Sequence, residues 1–240
     1  MVHPCLFLFT ERTNMNYRAT RCYLNCEKAV YEGVSKYDIP VIEPTELDVD
    51  NVPMIGFNYA LTEKHPEDKI CHFYLDDYQF DRIWNRPDAY IGVLQRFKAV
   101  ISPDFSIYTD FPNAVKIFNH YRQQWCGKYF QENGITVIPN VSFSDEASFE
   151  WCFNGIPKHS LICISTVGCF GNYGDPQAFV RGFNKAMTVL EPSHLLLYGK
   201  KYPEIDIPCP YTVAVNQNTL NRKLARQRMD EEAKKAQEKK

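Results

Sequence analysis

His72-Phe73-Tyr74-Leu75-Asp76-Asp77-Tyr78-Gln79-Phe80 alternates aromatic and aliphatic residues and then stops on two carboxylates. The first half has the pattern of a strand, and the residues that follow turn helical. A strand that ends in acidic residues just before a helix is how a parallel α/β sheet presents chemistry at its carboxyl edge. Working outward, strand-like runs recur at Ile39–Glu43, Pro53–Asn58, Ile70–Asp76, Ala99–Asp104, Ile135–Asn140, Leu161–Thr166, Leu195–Gly199 and Tyr211–Val215. They are short, rich in Val, Ile, Leu and aromatics, and bounded by Pro, Gly, Asn or Asp.

Helical stretches separate most of the later strands. Residues 79–96 carry Phe80, Ile83, Trp84, Ile91 and Leu94, and Pro87 divides the segment. The next helix has Thr109 or Asp110 as its cap, Pro112 in its first turn and Gly134 as its stop. Its apolar stripe reads Val115, Phe118, Tyr121, Trp125 and Tyr129. A short helix is expected over 145–153. A longer one starts at Asp175-Pro176, places Phe179, Val180, Phe183, Met187 and Leu190 on one face, and ends before Pro192. Strands alternating with helices imply parallel pairing and right-handed crossovers. The expected fold is α/β: residues 38–216 as a single irregular (β/α) barrel of TIM-like type, with an open doubly wound sheet as the alternative. The Gly-rich dinucleotide fingerprint is absent after the first strand. Ahead of this domain, residues 1–37 read as an irregular start and a covering helix near Leu24–Lys36. Behind it, residues 217–240 read as a charged helix or tail.

The 240 residues carry a formal charge of -2, so there is no global basic field of the kind that marks a dedicated nucleic-acid binder. The nine cysteines are odd in number and scattered, and Cys71 and Cys163 sit inside apolar runs, which suits a reducing cytosol. Cys22 and Cys26 make half of a metal motif without a second half. Leu6-Phe7-Leu8-Phe9 is too short for a signal-peptide core, and no apolar run approaches the ~20 residues that span a bilayer. A soluble, cytoplasmic protein is expected.

Strand parity sorts the polar residues. In Ile70–Asp76, Cys71, Phe73 and Leu75 share one face, and His72, Tyr74 and Asp76 the other. In Ala99–Asp104, Ala99, Ile101 and Pro103 are assigned outward, leaving Val100, Ser102 and Asp104 inward. In Ile135–Asn140 the inward set is Thr136, Ile138 and Asn140. In Leu195–Lys200 it is Leu196, Tyr198 and Lys200. Ser165 goes with Leu161 and Cys163, Glu43 with Val41, and Asn58 with Met54 and Gly56. The result is a ring at the carboxyl ends of Glu43, Asn58, Asp76, Asp104, Asn140, Ser165 and Lys200. Each of these residues alone is equally well read as a helix cap or turn former. Asp77 falls on the opposite face and reads as a helix cap, and His72 as a satisfied core histidine. HExxH, GxSxG and Walker patterns are absent. The loop Ser165–Asp175 bears glycines and runs into a helix start, a weak phosphate-loop signal in which Asp175 competes with an anion. Cys169 has no base beside it and reads as structural.

Several phrases together resemble a known family. Gly56-Phe57-Asn58-Tyr59-Ala60, Asp76-Asp77-Tyr78-Gln79-Phe80 running to Trp84-Asn85-Arg86-Pro87, and Pro103-Asp104-Phe105-Ser106 are similar to the phage and mobile-element proteins grouped as domain of unknown function 4417. So are Val137-Ile138-Pro139-Asn140, Phe153-Asn154-Gly155-Ile156-Pro157-Lys158 and Ser165-Thr166-Val167-Gly168. The resemblance covers roughly residues 50–200 and implies a phage or mobile-element context without an activity. A weaker similarity, to tRNA-guanine transglycosylase-like barrels, rests on Ser165–Gly168 and Tyr198-Gly199. The cysteine-rich zinc motif and glycine pairs of that class are missing here.

The function expected from these residues is action on a nucleotide or nucleobase. Asp76, Asp104 and Lys200 are the catalytic candidates, and Glu43, Asn58, Tyr74, Asn140, Ser165 and Tyr198 the ligand-binding ones. Carboxylate-bound Mg²⁺ is a variant of this reading. The alternatives are a non-catalytic binder that sequesters a nucleotide signal or blocks a host defence protein, and a nucleic-acid accessory protein working through the basic residues of the tail.

Overall fold

The structure is a computed structural model that describes residues 24–170 and 174–216. The chain divides into two compact units, Met1–Tyr31 and Glu32–Lys240. In the first unit, residues 24–28 form turns in which the Asn25 carbonyl accepts from the amides of Lys28 and Ala29. The helix expected over Leu24–Lys36 does not form. Asn25 is in the left-handed region (φ 62°), which interrupts a helix at its start. Downstream, β1 (Gly33–Val34) pairs antiparallel with β2 (Ile39–Pro40). A Cβ at Gly33 would lie 2.1 Å from the Asp38 carbonyl carbon, so only glycine fits this tight hairpin.

The remaining strands are β3 (Pro53–Gly56), β4 (Ile70–His72), β5 (Ala99–Ile101), β6 (Val137–Ile138), β7 (Leu161–Ser165), β8 (His194–Tyr198), β9 (Tyr211–Val213) and β10 (Val215–Asn216). They lie within or next to the expected runs, and most are shorter. They form a five-stranded sheet in the order β10-β3-β4-β5-β6 and a three-stranded sheet in the order β7-β8-β9. Every pairing in both sheets is parallel. The architecture is therefore mixed α/β with parallel sheets, and the pairing does not register as one closed sheet. The expected first strand, Ile39–Glu43, is not part of either sheet, because its paired residues belong to the antiparallel hairpin.

Helices follow the strands. Phe80 ends a short 3-10 turn over Asp77–Gln79, and α1 (Arg82–Asn85) and α2 (Asp88–Leu94) divide at Arg86-Pro87 as the proline requires. α3 runs Asn113–Glu132 with Pro112 at its N-cap position and no side-chain cap, so neither Thr109 nor Asp110 caps it. The expected helix over 145–153 is a 3-10 segment, Glu146–Glu150, capped by Asp145 through the Ser148 amide. α4 (Pro176–Leu190) is capped by Asp175, whose carboxylate accepts from Gln177 and Ala178.

Among the described residues, two buried apolar clusters belong to the sheets. One collects Met54, Ile70, Ala99, Ile101, Ile138, Leu161, Cys163 and Leu196, so strands of both sheets share it. The other packs Ile162, Ile164, Leu195 and Leu197 against Phe179, Phe183, Met187 and Leu190 of α4. Period-2 alternation along β7 and β8 thus feeds two different clusters, as expected. In β5 the assignment inverts: Ala99 and Ile101 enter the shared cluster, while Ser102 approaches Gly127 of α3. α3 itself departs from its apolar stripe. Val115 and Phe118 are exposed, and Lys116, Asn119, His120, Gln123 and Gln124 are buried with Trp125 and Phe130. A helix that buries a polar face does so only where partners wait for it. Here they do for most: Lys116 reaches Asp145 at 2.7 Å, Asn119 the Ser106 carbonyl at 2.5 Å, His120 the Asn154 carbonyl at 2.9 Å and Gln123 the Asn140 carbonyl at 2.6 Å.

Among the described residues no helix is long and apolar enough to cross a membrane. The charged segment 217–240, Leu6–Phe9 and Cys22 lie outside the described residues.

Candidate functional site

Asn140 sits just beyond β6, at the parallel bridge between Asn140 and Cys163 that links the two sheets. Its backbone is fixed first: the amide donates to Ser102 Oγ at 2.8 Å, and the carbonyl accepts from Gln123 Nε2. The side-chain amide is then saturated. Nδ2 donates to Asp104 Oδ1 at 2.7 Å and to Ser142 Oγ at 2.8 Å, and Oδ1 accepts from the Tyr74 hydroxyl at 2.9 Å. Ser142 Oγ donates in turn to Asp104 Oδ1 at 2.5 Å. The Tyr74 oxygen is left open to the Cys163 thiol, 3.0 Å away.

Both donors to Asp104 converge on Oδ1. No described residue donates to Oδ2, and the side chain is half-buried. Burial pushes this carboxyl above its ordinary value; the bonds from Ser142 and Asn140 pull it back, and the charge of Asp77 pushes it up again. The neighbouring Cys163 and Cys169 thiols are pushed up to about 12, first by burial and further by the Asp104 carboxylate where it remains unprotonated, so neither is a ready nucleophile. Tyr74 is held well above its usual range for the same reasons.

Under this network lies an aromatic stack. Tyr198 packs on Tyr74 with ring centroids 4.6 Å apart and on His72 at 4.6 Å. His72 Nδ1 accepts from the Tyr74 amide, so the proton of the neutral ring is on Nε2, and burial lowers its pKa to about 3. It is a neutral donor at any working pH.

The structure brings Asp104, Asn140, Tyr74 and Tyr198 together and adds Ser165, which ends β7 in register with Tyr198. Lys200 follows on the same edge, exposed, its amide bonded to Thr166 Oγ1 and its ammonium 5.9 Å from the Tyr202 ring. Asn58 is exposed beyond β3, in a 3-10 turn over Phe57–Tyr59. Glu43 is elsewhere: it pairs with Lys128 at 2.8 Å, and its backbone exchanges hydrogen bonds with Gln131 near the end of α3.

Neither carboxylate after β4 takes the role that parity assigns it. Asp76 is exposed and touches only Gln79, at 3.4 Å. Asp77 turns toward the loop after β5, where its carboxylate accepts from the Ser106 hydroxyl at 2.7 Å and the Ser106 amide, and its charge reaches Asp104. It caps nothing. The cause is local: β4 ends at His72, and a tight turn in which the Leu75 amide donates to the Phe73 carbonyl breaks the alternation. Asp104 arrives in the network from the irregular segment after β5, which ends at Ile101, and not by the parity assigned to that strand. Sequence reasoning missed Ser142 and Gln123. The polar residues at helical spacing on α3 were the available signal for Gln123.

Among the described residues no group of three His, Cys, Asp or Glu side chains is placed to hold a metal ion. A cavity of about 320 Å³ is lined by Thr109, Ser144, Asp145, Phe149, Asp175 and Arg181 among others, and no member of the Asp104 network borders it.

A family model described as "Domain of unknown function (DUF4417)" matches residues 31–216. The "Gene 1 protein" of Mycobacterium phage L5 is 33% identical over 187 residues, which is 75% of this chain and 80% of that protein. The "Gene 1 protein" of Mycobacterium phage D29 is 31% identical over 173 residues, 72% of this chain and 64% of that protein. No solved structure matches.

Proposed function

We propose, for a chain that belongs to the DUF4417 family and has relatives in mycobacteriophages, that the carboxyl edge around Asp104 binds a nucleotide or nucleobase. The observation that carries this is the two-donor grip on Asp104 Oδ1 with Oδ2 left open. A carboxyl fixed in this way and pushed up by burial can accept from, or when protonated donate to, the polar edge of a base. Exposed Lys200 on the same edge suits a phosphate, and Ser165 an additional hydroxyl contact.

The reading rests on the two sheets acting as walls of one irregular barrel. Support comes from the Asn140–Cys163 bridge on one side, from β9 and β10 lying one residue apart while pairing to different sheets on the other, and from the apolar cluster both sheets share. Ligands collect at the carboxyl ends of parallel strands in such folds. The described cysteines are free thiols, which supports a cytoplasmic setting.

Binding without turnover is the second reading. It is favoured by Asp77, the other carboxylate near Asp104, being held by Ser106 and so not free to act as a second acid or base. Titrating purified protein with nucleobases, nucleosides and nucleotides, and chromatographing the mixtures, tests both. Binding with a new product supports turnover, binding alone supports sequestration, and no binding removes both readings.

A further inference from the structure

We infer that the outward face of the last strand, residues 211–215, is the docking surface for residues 217–240 of the same chain, laid back against it as a helix. The inference is independent of the Asp104 site. Ala214 alone separates β9 from β10, and β9 pairs with β8 while β10 pairs with β3. Ala214 packs on the apolar cluster that both sheets share, so alternation turns Tyr211, Val213 and Val215 the other way. The register agrees. Tyr211 lies opposite Leu195 and Val213 opposite Leu197, and both leucines pack in the cluster that contains α4. Those leucines are fully buried, whereas Tyr211 is 43% exposed and Val213 42%.

The uncovered face has a cause in the order of the elements. α1 and α2 follow β4, α3 follows β5 and α4 follows β7. After β8 the chain passes through residues 199–210, which form no helix and contain Pro203, Pro208 and Pro210. β9 then leads almost directly into β10. In an α/β fold the helix after a strand covers that strand's outer face. For the last strand, the chain that follows is the segment 217–240.

Length, pattern and charge fit this occupant. The strand spans roughly 17 Å, which a helix of about 11 residues retraces, and 24 residues follow Asn216. At helical spacing Leu220 and Leu224 share a face one turn apart, and Lys223 and Arg228 flank it. The segment carries eight Lys and Arg against four Asp and Glu, while the residues before it carry 19 against 25. Part of that acidic excess stands beside the strand. Glu204 and Asp206 are exposed on the stretch that enters β9, and Asp50 accepts from the Thr212 hydroxyl of β9. Lysine and arginine stems extend over apolar surface while their charges reach such carboxylates. The segment also falls in the same compact unit, Glu32–Lys240, as both sheets.

Two measurements on the full chain test the docking. In methyl-labelled wild type, nuclear Overhauser contacts are expected from the Val213 methyls to those of Leu220 or Leu224, within one chain. Their absence overturns the proposal. So does their appearance only between chains in a mixed-label sample, which would make a second copy the occupant. The double variant Leu220→Ser, Leu224→Ser removes the apolar face and leaves every charge in place. Its melting temperature should fall by roughly 2–4 °C for a chain of this size. An unchanged melting temperature overturns the proposal as well. Should the variant not fold, the wild-type methyl contacts decide alone.

Discussion

The two parallel sheets solve different problems. The three-stranded sheet has β7 and β8 at five residues each, in continuous register from Leu161 opposite His194 to Ser165 opposite Tyr198, with the apolar face of α4 laid against it. The five-stranded sheet is built from strands of two to four residues, and its helix, α3, turns a polar face inward. Long strands under an apolar helix yield core. Short strands end early, and the segments after them, such as the turn after β4, decide where side chains go. The polar network forms at the ends of the short strands. Where hydrogen bonding is obligatory, as around Asn140, polar residues replace apolar packing as the element that fixes the structure.

That contrast can be broken where it is strongest. Phe183→Ala empties the interface of α4 with the three-stranded sheet and should cost about 3–5 kcal/mol in urea unfolding. A loss below 1 kcal/mol would mean that α4 is not the cover it is taken to be. Asn140→Ala, on the other sheet, removes an amide bonded to Asp104, Ser142 and Tyr74 and strands the Tyr74 hydroxyl. A cost of about 1–3 kcal/mol is expected from the same assay.

Asp104→Asn sharpens the difference through pH. Burial raises the folded-state pKa of Asp104, so the native chain holds this proton at pH values where the unfolded chain has released it. Its stabilising contribution is therefore complete below the unfolded pKa and is lost as pH rises through the folded one. Between those values wild type should lose stability relative to Asp104→Asn, measured as melting temperature against pH. A difference that grows instead as pH falls would reverse the assignment. The smallest effect belongs to Asp76→Asn. An exposed carboxylate that touches only Gln79 should change stability by no more than ~0.5 kcal/mol, and ligand binding not at all.

The sequence made the α/β class legible because β7 and β8 are short, continuous apolar runs and α4 between them has an amphipathic face and an Asp-Pro start. The region of the site was legible too, since Asp104, Asn140, Tyr74 and Tyr198 all stand near strand ends. The individual geometry was not. Asp76 and Asp77 differ by one residue, and a single turn after Phe73 decides which of them approaches Asp104. Glu43 looked like a strand end because Ile39–Glu43 is largely apolar and β-branched, yet Ile39–Pro40 pairs locally with Gly33–Val34 in an antiparallel hairpin. The inward polar face of α3 was hidden because a buried glutamine and a surface glutamine look alike until their partners are known.

The account stands on Asp104 as the residue that engages ligand at the carboxyl edge. Calorimetric titration of wild type and Asp104→Asn with the same nucleosides and nucleoside monophosphates tests it most directly, with melting curves to establish that both are folded. Saturable binding of at least one compound to wild type, weakened at least about tenfold in the variant, a loss on the order of 1.4 kcal/mol, is the expected result. No binding to wild type, or equal affinity in the two proteins, would contradict it.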